Sequence, residues 1–316
     1  MKTALSHQEL SGGKAGIAFL FGNILCWAAV PVMLRHLAGV VDAWTANGFR
    51  YPLAGMLYWP ILFVAWQSNR LDATVVRRCL VPSLLAMIAQ VFWALAPYHL
   101  PATAIGFFVR LSLLWSLIAA MILFRDERRL LKLPSFYAGL ALLIVGFLML
   151  SISKLRFDQQ VTGTGIVIIL SCAFFFGLYA VSVRYFLGGI NPMVSFGVVC
   201  QFVSIGTFVA MLCFGEYSQL LEISAQNWGL LVMSAILGIA LGHHFLYSAV
   251  TRLGAAVTSG AQTLAPFLTI LLAATFLGES MSTIEWCGGV MMVVGAALLL
   301  IAQNQLVARS RAAAVG

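Results

Sequence analysis

"VMLRHLAGVVD", residues 32–42, returns about 150 residues later as "VSVRYFLGGIN", residues 181–191, so that Arg35 lies over Arg184. The same comparison brings "LFRDE" (123–127) to "FLGES" (276–280), where Glu127 pairs with Glu279 at a shift of 152 and not the 149 of Arg35 and Arg184. Gly139 and Gly146 then fall over Gly288 and Gly295. Self-similarity at a fixed shift marks an internal repeat. What one copy contains therefore decides the fold.

The 316 residues are 62% hydrophobic and only 9% charged, with a mean hydropathy of +0.99. A soluble domain is nearer a quarter charged. No soluble core of this size hides so much apolar surface, so the solvent is lipid. A bilayer core of about 30 Å needs about 20 apolar helical residues. Ten runs qualify, near 16–36, 45–66, 80–99, 102–124, 134–152, 163–186, 192–214, 228–250, 255–277 and 284–303. "LPAT" and "TRLG" are connections so short that the spans they join form antiparallel hairpins. No soluble domain fits between spans.

The net charge of +8 suggests nucleic-acid binding only if the basic residues form a patch, and they lie between apolar runs. That pattern reports membrane topology instead. With the N-terminus cytoplasmic, the inner segments hold Lys2, Lys14, Arg70, Arg77, Arg78, Arg125, Arg128, Arg129, Lys132, Arg184, Arg252, Arg309 and Arg311. The outer side holds Arg35, Arg50, Lys154 and Arg156. This positive-inside bias predicts both termini in the cytoplasm of a multi-pass plasma (inner) membrane protein. The polar first 15 residues and the lack of a small-x-small cleavage site read as a retained first span, not a signal peptide. Cys26, Cys79, Cys172, Cys200, Cys213 and Cys287 lie in or beside apolar runs without ligand spacing. They read as small apolar residues, with no metal and no cofactor expected.

Each repeat, 16–152 and 163–303, holds five spans. Five is odd, so the second copy enters the membrane upside down. Inverted repeats with a substrate site near the midplane are a recurrent plan of secondary transporters. Residues 252–300, "RLGAAVTSGAQTLAPFLTILLAATFLGESMSTIEWCGGVMMVVGAALLL", resemble the second repeat of an EamA-type member of the drug/metabolite transporter superfamily. Pro266, Gly278-Glu279 and the Gly288/Gly289…Gly295 spacing carry the resemblance, with Arg50 and Glu127 as looser marks in the first repeat. It implies an all-α integral membrane protein of ten helices in two inverted five-helix repeats. It also implies a cavity lined by spans one, three, four, six, eight and nine, with five and ten peripheral. Relatives export amino acids and other small metabolites, or move nucleotide sugars and drugs. In one respect the chain departs: Leu113 or Leu114 stands in span four where a proline commonly answers Pro266.

All ten acidic residues lie outside the span centres, whereas Arg110 lies within "AIGFFVRLSLLW", residues 104–115. An exporter of cationic drugs usually needs a buried carboxylate, so the charge here has the opposite sign. Arginine at a helix centre costs roughly 2.5–3.5 kcal/mol, and the apolar residues of 102–124 return about 5 kcal/mol, so the span inserts. Thr103, Gly106 and Arg110 share one helical stripe. The guanidinium either grips a carboxylate or phosphate of a cargo, or bonds to freed carbonyls or to Asn23, Gln90, Gln201 or Gln262. Trp27, Trp93 and Tyr247 are candidates for apolar contact with the cargo, or for core packing. Asn23, Gln90 and Gln262 are buried amides that meet an ammonium or join helices. His243, beside His244, either exchanges a proton near neutral pH or is a neutral ring between helices. Glu279, and Ser282 with Glu285 as a capping box, read as structural.

The reading that follows is a secondary transporter of an amino acid or similar zwitterion or anion, working by alternating access, with proton or solute exchange open. Its partners are a small-molecule substrate and the bilayer, with no nucleic acid; the oligomeric state is unassigned. The alternatives are a nucleotide-sugar or phosphorylated-metabolite transporter and, further off, a membrane enzyme or non-transporting scaffold. No HExxH, GxSxG or paired aspartates supply enzyme chemistry.

Overall fold

The computed structural model describes residues 2–124, 132–157, 161–253 and 262–315. Glu127, Arg125, Arg128 and Arg129 lie outside the described residues, as do the side chains of Lys2, Lys14, Lys154, Arg156, Arg184, Arg252, Arg309 and Arg311. The described residues are nearly all helical and form no strand.

The helices are α1 (Lys2–Leu37), α2 (Ala43–Gln67), α3 (Ala73–His99), α4 (Ala102–Phe108), α5 (Ser112–Leu123), α6 (Pro134–Phe157), α7 (Gly163–Phe186), α8 (Pro192–Phe214), α9 (Ala225–Ala235), α10 (Gly242–Leu253), α11 (Ala265–Leu277) and α12 (Thr283–Val315). A 3-10 turn, Val109–Leu111, joins α4 to α5, and another, Gln262–Leu264, enters α11. A π-helical segment, Ile236–Leu241, joins α9 to α10. Side-chain caps start several helices: Asp42 for α2, Asp72 for α3, Thr162 for α7, Asn191 for α8 and Ser224 for α9. Each supplies an acceptor for an N–H that the first helical turn leaves unpaired. Gly278 ends α11 in the left-handed conformation, φ 66°, which glycine adopts without a Cβ clash.

Among the described residues, six stretches are long and apolar enough to cross a membrane: 15–37, 73–99, 102–123, 163–183, 192–214 and 225–246. Residues 134–149, 268–277 and 283–299 form shorter apolar helices. α2 has the length but lower hydropathy, since it carries Asn47, Arg50, Pro52, Tyr58 and Pro60.

Packing follows the repeat. α1 lies on α10 and α11, while α7 lies on α3 and α5. α2 pairs with α8, α4 with α11, and α6 with α12. Exchanging the two repeats maps this set of pairs onto itself. Small residues seat the self-paired helices. A Cβ on Gly146 would lie 2.5 Å from the Gly288 carbonyl oxygen. Between α2 and α8, Ser204 Oγ donates to the Tyr51 carbonyl at 2.8 Å and Gln201 Nε2 to that of Gly55 at 3.0 Å. Close backbones and polar side-chain bonds are what hold helices together where lipid removes the hydrophobic drive between them.

Candidate functional site

Arg110 lies within the 3-10 turn between α4 and α5, not in a continuous helix. The break falls where the chain changes neighbours. α4 is held on α11, where a Cβ on Gly106 would meet Thr269 Cγ2 at 3.2 Å. α5 is held on α7, where a Cβ on Gly177 would meet the Ser112 carbonyl oxygen at 2.8 Å. The Arg110 side chain is half-buried, and its Nε is fully enclosed without a hydrogen-bond partner. Thr103, on the same stripe, has a buried hydroxyl that is also unpartnered.

The entry to this span is fixed from the other repeat. Glu279 accepts from the backbone N–H of Ala102 at 2.9 Å and of Thr103 at 3.0 Å. An anion at a helix N-terminus satisfies orphan donors and favours the local dipole. Ser282 and Glu285 form the expected reciprocal cap: Ser282 N donates to Glu285 Oε2 at 2.8 Å, and Glu285 N to Ser282 Oγ at 3.4 Å.

The eight sequence candidates separate by what their polar atoms already bind. Asn23, fully buried, donates from Nδ2 to the Gly242 carbonyl at 2.8 Å and accepts from Gln262 Nε2 at 2.7 Å. Trp27 Nε1 donates to the Gly238 carbonyl at 3.2 Å. His243 Nδ1 bonds the Ile239 carbonyl at 2.9 Å; its ring stacks on Phe196 at 4.2 Å and meets Trp27 edge-on at 5.4 Å. These four are helix-joining groups in this conformation. Its neighbour His244 makes edge contacts with Phe19 and Phe245.

Gln90, Trp93 and Arg110 differ. Neither the Gln90 amide nor the Trp93 indole N–H has a hydrogen-bond partner among the described residues. Gln90 and Trp93 are one turn apart on α3, and Trp93 meets Phe176 of α7 edge-on at 6.3 Å. Val109, adjoining Arg110, joins Trp93, Phe176 and Cys172 in one apolar cluster. The three open groups thus belong to α3 and the α4–α5 break, both packed on α7. The side chain of Tyr247 lies outside the described residues.

Sequence reasoning missed the bonding around the π segment. Arg50, 2% exposed, donates from Nη1 to Asn47 Oδ1 at 3.1 Å and from Nη2 to the Ser234 carbonyl at 3.2 Å. Tyr58 donates to the Ala240 carbonyl at 3.0 Å. Together with Trp27, His243 and Asn23, these side chains occupy carbonyls from Ser234 to Gly242, in and beside the π segment. Gly238 and Gly242 were the available signal, because they admit α1 closely: a Cβ on Gly242 would lie 2.4 Å from Trp27 Nε1. A groove of about 230 Å³ opens elsewhere, between α2, α3 and α8; Trp44, Met87, Val91 and Phe214 line it, and none of the eight candidates does.

The model of the EamA-like transporter family matches residues 14–152 and again 163–301. An uncharacterized transporter from Haemophilus influenzae is 22% identical over 308 residues, covering 92% of this chain and 96% of that protein. A solved crystal structure, described only as that of a protein, has a TM-score of 0.59 at 16% identity and covers 92% of this chain and 98% of its own. That likeness bears on the fold.

Proposed function

Because the chain belongs to the EamA-like transporter family and moves a small solute across a membrane, we propose that its cargo is an amino acid or similar zwitterion or anion. Arg110 holds the cargo carboxylate. Export proceeds by alternating access across the plasma membrane, through ten spans with both termini cytoplasmic. The observation that carries the reading is the Arg110 guanidinium at the break of the fourth span, its buried Nε unpartnered. A planar guanidinium binds a carboxylate through two parallel N–H bonds. Leaving such a charge at depth without a counter-charge is costly, and an arriving carboxylate removes that cost. Gln90 and the Trp93 indole N–H add donors, and Phe176 adds an apolar wall.

A phosphorylated cargo would call for a second deep cation. Arg50 is the candidate, and its terminal nitrogens are committed to Asn47 and the Ser234 carbonyl. This favours a single negative group. The test is flux of radiolabelled amino acids in proteoliposomes for wild type, Arg110→Lys and Arg110→Ala. Arg110→Ala is expected to abolish amino-acid flux, with Arg110→Lys retaining part of it. Normal flux in a folded Arg110→Ala protein overturns the role.

A further inference from the structure

We propose that Cys172 keeps the Arg110 site open, and that the cargo carboxylate takes there the place which the Asn23 amide oxygen takes in the other repeat. The proposal rests on the reading of Arg110 as the carboxylate-binding group.

The argument is a comparison of the two repeats. The register that lays Arg35 over Arg184 lays Asn23 over Cys172 and Trp27 over Phe176. Span four follows a shift longer by three, 152 against 149: there Arg110 and Gln262 each stand seventeen residues before their paired glutamates, Glu127 and Glu279. A 3-10 turn lies at both places, Val109–Leu111 and Gln262–Leu264. The neighbours correspond as well: α1 packs on α11 as α7 packs on α5.

In one copy the polar groups form a closed chain. Gln262 Nε2 donates to Asn23 Oδ1 at 2.7 Å, and Asn23 Nδ2 donates to the Gly242 carbonyl at 2.8 Å. In the other copy a stronger donor, Arg110, lies in the 3-10 turn that answers the turn holding Gln262. A thiol stands where the amide stands, and a thiol is a weak acceptor. Cys172 is fully buried and shares an apolar cluster with Val109, Trp93 and Phe176. Arg110 Nε has no partner. A donor without its acceptor is a vacancy for one, and a carboxylate is the acceptor that a guanidinium fits in two bonds.

An asparagine at 172 supplies that acceptor from within the protein. The test melts purified protein in detergent, with and without L-leucine, L-phenylalanine or L-glutamate as probe. Without probe, Cys172→Asn is expected to melt higher than Cys172→Ala, and this gain is expected to vanish on an Arg110→Ala background. With probe, Cys172→Asn is expected to weaken the apparent Kd by at least about tenfold, while Cys172→Ala binds as wild type does. A second variant, Arg110→Gln with Cys172→Asn, rebuilds the closed amide chain; it is expected to melt at least as high as wild type and to bind no probe. Unchanged probe binding by Cys172→Asn, or a gain in melting that persists without Arg110, overturns the proposal. If no probe shifts wild type, the amino-acid reading of the cargo falls, whereas the coupling of residues 172 and 110 is still read from the probe-free melts.

Discussion

Gly139 of α6 and Gly295 of α12 meet backbone to backbone: a Cβ on either would lie 2.7 Å from the carbonyl oxygen of the other. In the sequence register, Gly139 matches Gly288 and Gly146 matches Gly295. In space the contacts cross over, Gly139 to Gly295 and Gly146 to Gly288. A two-fold exchange of repeats carries one of these contacts into the other. The glycines are therefore both a signature of the repeat and the seam along which its two copies join.

Substituting that seam costs stability. Gly295→Ala forces α6 and α12 apart, and overpacking of this kind costs about 1–3 kcal/mol. Gly229→Ala is the control: nothing lies within 4 Å of its Cβ position, and alanine there stabilises by about 0.4–1 kcal/mol. Thermal melts in detergent compare the two; equal effects would refute the seam.

Glu279 ties the loop after α11 to the start of α4 through two charge-assisted bonds. Glu279→Ala leaves two backbone donors unpaired at the buried Ala102 and Thr103, a loss of about 2 kcal/mol. Glu279→Gln keeps an acceptor and is expected to lose less. Chemical denaturation ranks wild type, Gln and Ala in that order.

Asp42 gives the loops it joins a pH dependence. Burial raises its carboxyl pKa, but hydrogen bonds from Thr45, Glu216 and Trp44 outweigh burial and hold it below the usual carboxylate range. A depressed folded pKa adds stability that is complete above the unfolded value of about 4 and is lost as pH falls through the folded one. Wild type is expected to lose melting temperature across that window. Asp42→Asn, unable to ionise, is expected to show a shallower decline.

His243 is held between aromatic rings with Nδ1 on the Ile239 carbonyl. Charging it there would expose a cation to an apolar pocket. His243→Phe keeps the stack on Phe196. The pH profile of transport in proteoliposomes is expected to match that of wild type; a profile flattened by this substitution alone would assign proton coupling to His243.

Helix positions and the repeat were legible because both are local or periodic. Lipid forces every backbone group into helices, so apolar run length predicts them. The Ser282–Glu285 cap was legible because it closes within three residues. The π segment was not, since it has no compositional signature and its carbonyl partners come from α1 and α2, about 200 residues away in sequence. Asn23, Trp27, Gln262 and His243 looked as available as Gln90, Trp93 and Arg110, because a side chain's partner does not show in its own residue type.

The order of apolar and charged residues determined by itself that this chain is helical, lies in a membrane and is built twice over, since burial in lipid and hydrogen bonding within a helix are read residue by residue. Only the tertiary structure decided which polar groups remain open. Hydrogen bonds between distant helices use up donors pairwise, as they do for Asn23, Trp27 and Gln262, while Arg110 at the α4–α5 break keeps a buried Nε unpaired.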